Sequence, residues 1–285
     1  MKPVPGPTAN EDQIAYWNGE AAVTWAALQE RLDAQIAPLG EKAMAALAPK
    51  TGEAVLDLGC GCGATSLELA ARLGPTGAVQ AVDISGPMLA VARARPRGSD
   101  LAPIEFVQGD AQVFHFKEGA ADGAFSRFGV MFYADPVAAF ANVRRGLKRG
   151  GRLAFVCWRD VALNPFMTLP YQAALPLLPP QPPPEDPFAP GPFAFADGER
   201  LRGILVSAGY GDIVVEPFDC AIGGSDLATH AETAVQIGPL GRFLRECPEL
   251  VAPVRAKVLE ALKPHAGTDG VKLASATWIV AAYNT

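Results

Sequence analysis

The segment from Val55 to Thr65 reads Val-Leu-Asp-Leu-Gly-Cys-Gly-Cys-Gly-Ala-Thr, and few folds accommodate it. Val55, Leu56 and Leu58 make an apolar run suited to a buried strand. Gly59, Gly61 and Gly63 follow at alternate positions, where the backbone turns sharply and can approach a ligand with no Cβ in the way. From Ala64 to Leu73 apolar residues recur at helical spacing. A strand, a glycine turn and a helix in this order set free backbone N–H groups and a helix N-terminus beside a bound nucleotide.

The next apolar run, Ala78 to Val82, ends in Asp83. An acid about twenty residues beyond the glycines, at the end of a second strand, suits hydrogen bonding to ribose hydroxyls. Glycine turn and acid together are far more specific than the glycines alone, which can mark no more than a tight turn. Gly59, Gly61 and Ala64 also satisfy the G-x-G-x-x-G/A dinucleotide pattern, so an NAD(P)-dependent oxidoreductase is a competing reading.

Gly59, Gly61 and Gly63, preceded by Asp57, resemble the E/D-x-G-x-G-x-G motif of class I S-adenosylmethionine (SAM) methyltransferases. Asp83-Ile84-Ser85 with Met88 is similar to that family's second motif, and Gly109-Asp110-Ala111 to its third. Phe125 to Phe132, followed by Leu147 to Leu153, resembles its fourth strand and the turn into the fifth; Arg149 stands where the family commonly has Pro. The resemblance is good over residues 50–160 and topological beyond. It is nearest to the ubiquinone/menaquinone-biosynthesis-like small-molecule methyltransferases. It implies SAM as cofactor, S-adenosylhomocysteine as product, and a small methyl acceptor. A non-catalytic SAM-binding sensor or partner protein is the alternative that cofactor motifs alone do not separate.

Strands are expected near 53–58, 78–83, 103–108, 121–127 and 151–158, with helices near 64–73, 86–94 and 136–147. Such alternation means a parallel sheet with right-handed crossovers. Asp212 to Phe218 and Gly270 to Asn284 are further strand candidates. With the resemblance, the expected fold is α/β: a doubly wound Rossmann-like, seven-stranded, mostly parallel sheet with an antiparallel last strand, plus N-terminal helices and accessory helical insertions. The organisation expected is an N-terminal helical cap (1–48), a SAM-binding core (49–159), a Pro-rich lid or strap (160–196), and a C-terminal part of the sheet (197–285) carrying a helical insertion (226–262). Residues 1–9 are expected to be disordered. Pro38 and Gly40 are expected to divide the N-terminal helical pattern in two. Asp197 is a candidate N-cap, with Gly209 as the stop.

The chain has 285 residues and a net charge of −6, which argues against a general nucleic-acid surface. No run approaches the ~20 apolar residues of a membrane span, and the first residues lack a signal-peptide core. A cytoplasmic protein is expected, and a homodimer is possible. Five cysteines are scattered without zinc-ligand spacing, so no metal site is expected.

By resemblance, Gly59 and Gly61 line the methionine and ribose portion of the cofactor and Asp57 holds its amino-acid end. Asp83 takes the ribose hydroxyls, Ile84 packs on adenine, Asp110 meets the adenine amino group, and Ala111 presents its backbone N–H. Ser126 and Arg127 end the fourth strand facing the methyl-transfer region, although Arg127 pairing with a buried carboxylate is an equal reading. Trp17, with Tyr16 and Trp25, belongs to an N-terminal helix that lies over the cofactor in related enzymes; at helical spacing such aromatics are also ordinary core. His115, between Phe114 and Phe116, is a candidate general base. Tyr133 and Asp135 are alternatives, while His230 lies in the accessory region. Selectivity for the acceptor is assigned to the unshared parts (1–45, 159–196 and 222–265), where Phe166, Met167, Tyr171, Phe188, Phe193, Phe195 and Phe243 favour an apolar or aromatic molecule.

Overall fold

The computed structural model describes residues 10–96, 98–179, 186 and 188–285. The expectations for residues 1–9 and for the proline run at 180–184 and 187 lie outside these. In chain order the elements are α1 (Glu11–Asn18), α2 (Glu20–Leu47), β1 (Ala54–Leu58), α3 (Ala64–Leu73), β2 (Ala78–Asp83), α4 (Gly86–Ala94) and β3 (Ile104–Gln108). Then come β4 (Ala121–Arg127), α5 (Pro136–Gly146), β5 (Leu147–Trp158), α6 (Pro165–Ala174), α7 (Gly198–Ser207) and β6 (Gly211–Gly223). The chain closes with α8 (Leu227–Ala234), α9 (Gly238–Glu246), α10 (Val251–Leu262), β7 (Ala266–Gly267) and β8 (Gly270–Tyr283).

The sheet order is β3-β2-β1-β4-β5-β8-β6, with the two-residue β7 paired to β8 off this path. β1 to β5 are parallel, and β8 runs antiparallel between β5 and β6. The α/β sheet with an antiparallel last strand is therefore as the sequence implies. β1, β4 and the second half of β5 are buried almost throughout, as central parallel strands covered on both faces must be. The edge strand β6 alternates instead between half-buried and exposed residues.

Helix starts follow local chemistry. Ser85 Oγ accepts from Met88 N, Asp135 from Ala138 N, and Asp197 from Glu199 N and Arg200 N, each satisfying donors that the first turn leaves free. Asp197 is thus the N-cap expected of it.

One expected boundary is wrong. The N-terminal pattern breaks at Gly19, which is extended, and α2 then runs unbroken through Pro38 and Gly40. Gly40 is there for packing: a Cβ would stand 2.8 Å from the Arg127 Cδ that crosses the helix. β5 also starts earlier than expected, at Leu147, with an irregular register between Ala121 and Gly123 of β4.

β5 ends at Trp158 opposite Thr277, but β6 and β8 continue as a two-stranded ribbon from Asp219↔Ala276 to Gly223↔Lys272. The ribbon rises past the C-terminal ends of the parallel strands. There it supports a second apolar core formed with α6, α8, α9 and α10, in which Ala174, Ala231, Leu244, Val254, Val258 and Val271 are buried. Phe166 packs against both this core and the main one. Among the described residues no helix is long and apolar enough to cross a membrane.

Candidate active site

The exits of β1 and β4 lie back to back. Gly59 has φ +67°, and a Cβ there would stand 2.7 Å from Gly129 Cα, so both conformation and space require glycine. Around this turn three carboxylates stand at the ends of three adjacent strands. Asp57 in β1 is fully buried; its Oδ2 accepts from Thr65 Oγ1 (2.8 Å) and Ser66 Oγ (2.6 Å), while Oδ1 is buried without a partner among the described residues. Burial outweighs the two hydroxyls and pushes the Asp57 pKa up to about 6.

Asp83 closes β2. Its carboxylate accepts from Gly61 N (2.7 Å) and Ser85 N (2.8 Å), tying the glycine turn to the next loop, and burial raises its pKa. Asp110, two residues past β3, accepts from Gln112 N (2.9 Å) through Oδ1; Oδ2 is buried without a partner among the described residues, and burial again raises its pKa. The buried Asn10 side chain lies beside it. Ile84 is half-buried, and Ala111 is buried with its carbonyl accepting from Asn142 Nδ2 (2.9 Å).

α1 lies across these strand ends. Asn18 donates Nδ2–H to Ile84 O (2.9 Å) and accepts from Gly86 N (3.0 Å), pinning the helix to the loop after β2. Gln108 Nε2 also donates to Ile84 O (3.1 Å). Trp17 joins Trp25 in packing on Cys62, Met88 and Ala22, and meets Phe132 edge to face at 5.4 Å between ring centres. It therefore bridges the glycine turn and the exit of β4. Burial pushes the Cys62 thiol up to about 12 and the Cys60 thiol upward as well, so both sit in the turn as neutral small side chains.

The two strand-four residues are engaged inside the protein. Ser126 is buried; its Oγ donates to Leu58 O (2.8 Å) and accepts from Gly129 N (3.2 Å), locking the β1 and β4 exits together. Arg127 pairs with Asp33 of α2, and Asp33 also receives Arg95 Nη2 (3.2 Å) from the end of α4. Arg127 thus has a carboxylate partner, but Asp33 is half-buried rather than buried as expected from the sequence.

The proposed bases differ in setting. His115 is exposed in the loop after Asp110, while its neighbours Phe114 and Phe116 pack edge to face at 4.9 Å. Tyr133 is buried against Phe140, and burial, followed by the charges of Asp110 and Asp83, drives its pKa upward. A phenol so placed stays protonated, which does not suit a general base.

Sequence reasoning missed Asn18 and Asp33, which become partners only when α1 and α2 cross the strand ends. It also missed the pairing of Phe128 with Trp158. These rings stack at 4.3 Å and 11°, and Phe128 holds φ +62°. A bulky residue in the left-handed region marks a position fixed by its surroundings, often near a site. Its signal in the sequence was an aromatic directly before Gly129.

Residues 55–151 match the family model described as Methyltransferase domain. Aklanonic acid methyltransferase DauC of Streptomyces sp. (strain C5) is 35% identical over 118 residues, covering 41% of this chain and 54% of that protein. Demethylmenaquinone methyltransferase of Lactococcus lactis subsp. lactis (strain IL1403) is 33% identical over 115 residues, covering 40% of this chain and 46% of that one. The chain thus spans about half the length of the curated relatives it matches. The fold is shared with the [4+2]-cyclase SpnF (TM-score 0.58, 18% identity, 98% of each chain). It is shared also with a protein of Bacillus halodurans C-125 described as a putative methyltransferase (TM-score 0.55, 19% identity, 87% of this chain and 99% of that one).

Proposed function

We propose that this chain, which carries a methyltransferase domain at residues 55–151, is a SAM-dependent methyltransferase acting on a small lipophilic or aromatic metabolite. The observation that carries this reading is the row of carboxylates at the ends of β1, β2 and β3, two of which keep a buried oxygen without a partner among the described residues. A buried acceptor left unmade is costly, and a ligand rich in N–H and O–H donors relieves it. SAM matches the set: its ammonium suits Asp57 Oδ1, its ribose hydroxyls Asp83, and its adenine amino group Asp110 Oδ2.

When bound, SAM supplies a methyl group on a cationic sulfonium, open to in-line displacement by an acceptor atom. The residues of the chain position and enclose. Gly59 and Gly61 keep the turn bare of side chains, Ile84 and Ala111 border the purine end, and Trp17 and Phe132 offer ring faces where a sulfonium gains about 0.5–2 kcal/mol. Holding two reactants in line contributes up to ~7–11 kcal/mol in favourable cases, without a metal or a covalent enzyme intermediate. The fold by itself does not select the reaction, because a [4+2]-cyclase shares it. Relatives named for aklanonic acid and demethylmenaquinone lend weight to a small-molecule acceptor.

The test is transfer of tritium from methyl-labelled SAM to a panel of quinols, phenols and amines. Label should appear in an organic-soluble product, and S-adenosylhomocysteine should inhibit its formation. Tight S-adenosylhomocysteine binding with no transfer to any acceptor would favour a non-catalytic SAM-binding protein instead.

A further inference from the structure

Where the β6–β8 ribbon passes between α2 and the second core, three polar side chains meet, one from α2 and two from the turn into α8. Gln35 of α2 donates Nε2–H to Ser225 Oγ at 3.4 Å, and Ser225 Oγ lies 3.4 Å from Nδ1 of His230 on α8. Gln35 and His230 are only 4% and 3% exposed. Both contacts are long for hydrogen bonds, and His230 Nε2 makes none among the described residues. Burial lowers the imidazole's pKa, so the ring is neutral. A link that merely tied α2 to the second core would need no imidazole with a free ring nitrogen.

The surroundings say what would fit. Phe166 meets the His230 ring edge on at 6.0 Å, stacks with Trp158 at 6.4 Å, and Trp158 in turn stacks with Phe128 at 4.3 Å. Phe128 is followed by Gly129, which packs on Gly59 of the glycine turn. A chain of ring contacts therefore runs from the glycine turn to a neutral imidazole held, among the described residues, only by a long polar contact. We propose that Gln35, Ser225 and His230 form the polar end of the acceptor site, where His230 Nε2 pairs with a hydroxyl of an aromatic acceptor lying along Phe128, Trp158 and Phe166. A hydroxyl satisfies the ring in either tautomer. If Nδ1–H donates to Ser225 Oγ, Nε2 accepts from the ligand O–H; if Ser225 donates to Nδ1, Nε2–H donates to the ligand oxygen. This assignment rests on the methyltransferase reading and names the substrate class within it.

The experiment uses the full chain saturated with S-adenosylhomocysteine and titrated with 2-naphthol and 2-methylnaphthalene, with tryptophan emission as readout. The two probes differ by a hydroxyl in place of a methyl. The wild-type protein should prefer the naphthol by roughly tenfold or more, because a site built around a hydroxyl rejects the analogue lacking it. His230→Phe should abolish the preference, His230→Gln should retain part of it, and both variants should keep wild-type affinity for S-adenosylhomocysteine. Equal binding of the two probes to wild-type protein, binding of neither, or a preference that survives His230→Phe would overturn the assignment while leaving the methyltransferase reading intact. Failure of S-adenosylhomocysteine to bind the wild-type chain would overturn that reading and this assignment with it.

Discussion

Asp57 is fully buried, and one of its oxygens has no hydrogen bond among the described residues. Its folded pKa of about 6 lies above the ordinary carboxylate value of 3.8. A raised acid contributes its full stability below the unfolded pKa and loses it as pH rises through the folded one. The free protein should therefore lose stability between about pH 4 and pH 6, by up to about 3 kcal/mol from this group. Asp57→Asn should raise the melting temperature of the free protein by several degrees at pH 7.5 and by about a third as much at pH 4.5, while weakening S-adenosylhomocysteine binding about tenfold. Equal melting shifts at the two pH values would contradict this account of the site. Ser126→Ala makes the opposite case. Its hydroxyl links Leu58 O to Gly129 N in a buried place, so removal should cost about 1–3 kcal/mol of stability, read by urea unfolding. A destabilisation below ~0.5 kcal/mol would show that the link is not what joins the two strand ends.

At the scale of elements, α1 lies across the strand ends, tied through Asn18 to the loop after β2 and through Trp17 to Phe132. Asn18→Ala removes both side-chain bonds to the loop after β2. Backbone amides of residues 11–18 should then exchange with solvent markedly faster, and S-adenosylhomocysteine should dissociate several-fold faster. Unchanged exchange in α1 would mean that packing around Trp17 alone holds it. The glycine turn, the acid ending β2 and the N-cap Asp197 were legible in the sequence because each answers a local backbone demand, whereas Asp57 was legible through the motif resemblance. The continuity of α2 was not. Pro38 and Gly40 read as a break on propensity, and only the crossing of Arg127 beneath Gly40 shows why the helix goes on. Arg127 itself had two readings until α2 delivered Asp33 beside it.

Over the whole molecule, a sheet with its last strand inserted antiparallel carries two cores, and the ribbon of β6 and β8 carries the second one above the strand ends. The first core was visible from motif order. The second was seen only as helical spacing, because what its helices cover depends on how far β6 and β8 run past Trp158. For the same reason His230 was placed in the accessory region with no hint of Gln35, 195 positions earlier in the chain and joined to it through Ser225. The central claim is that the carboxylates around Gly59 hold SAM. The most direct test is calorimetric titration of the full chain and of Asp83→Ala with S-adenosylhomocysteine, and of the wild type with NAD and NADP. Micromolar binding of S-adenosylhomocysteine to the wild type, weakened at least ~100-fold by Asp83→Ala, with no heat from either dinucleotide, is the result expected. Dinucleotide binding, or unchanged affinity in Asp83→Ala, would contradict it.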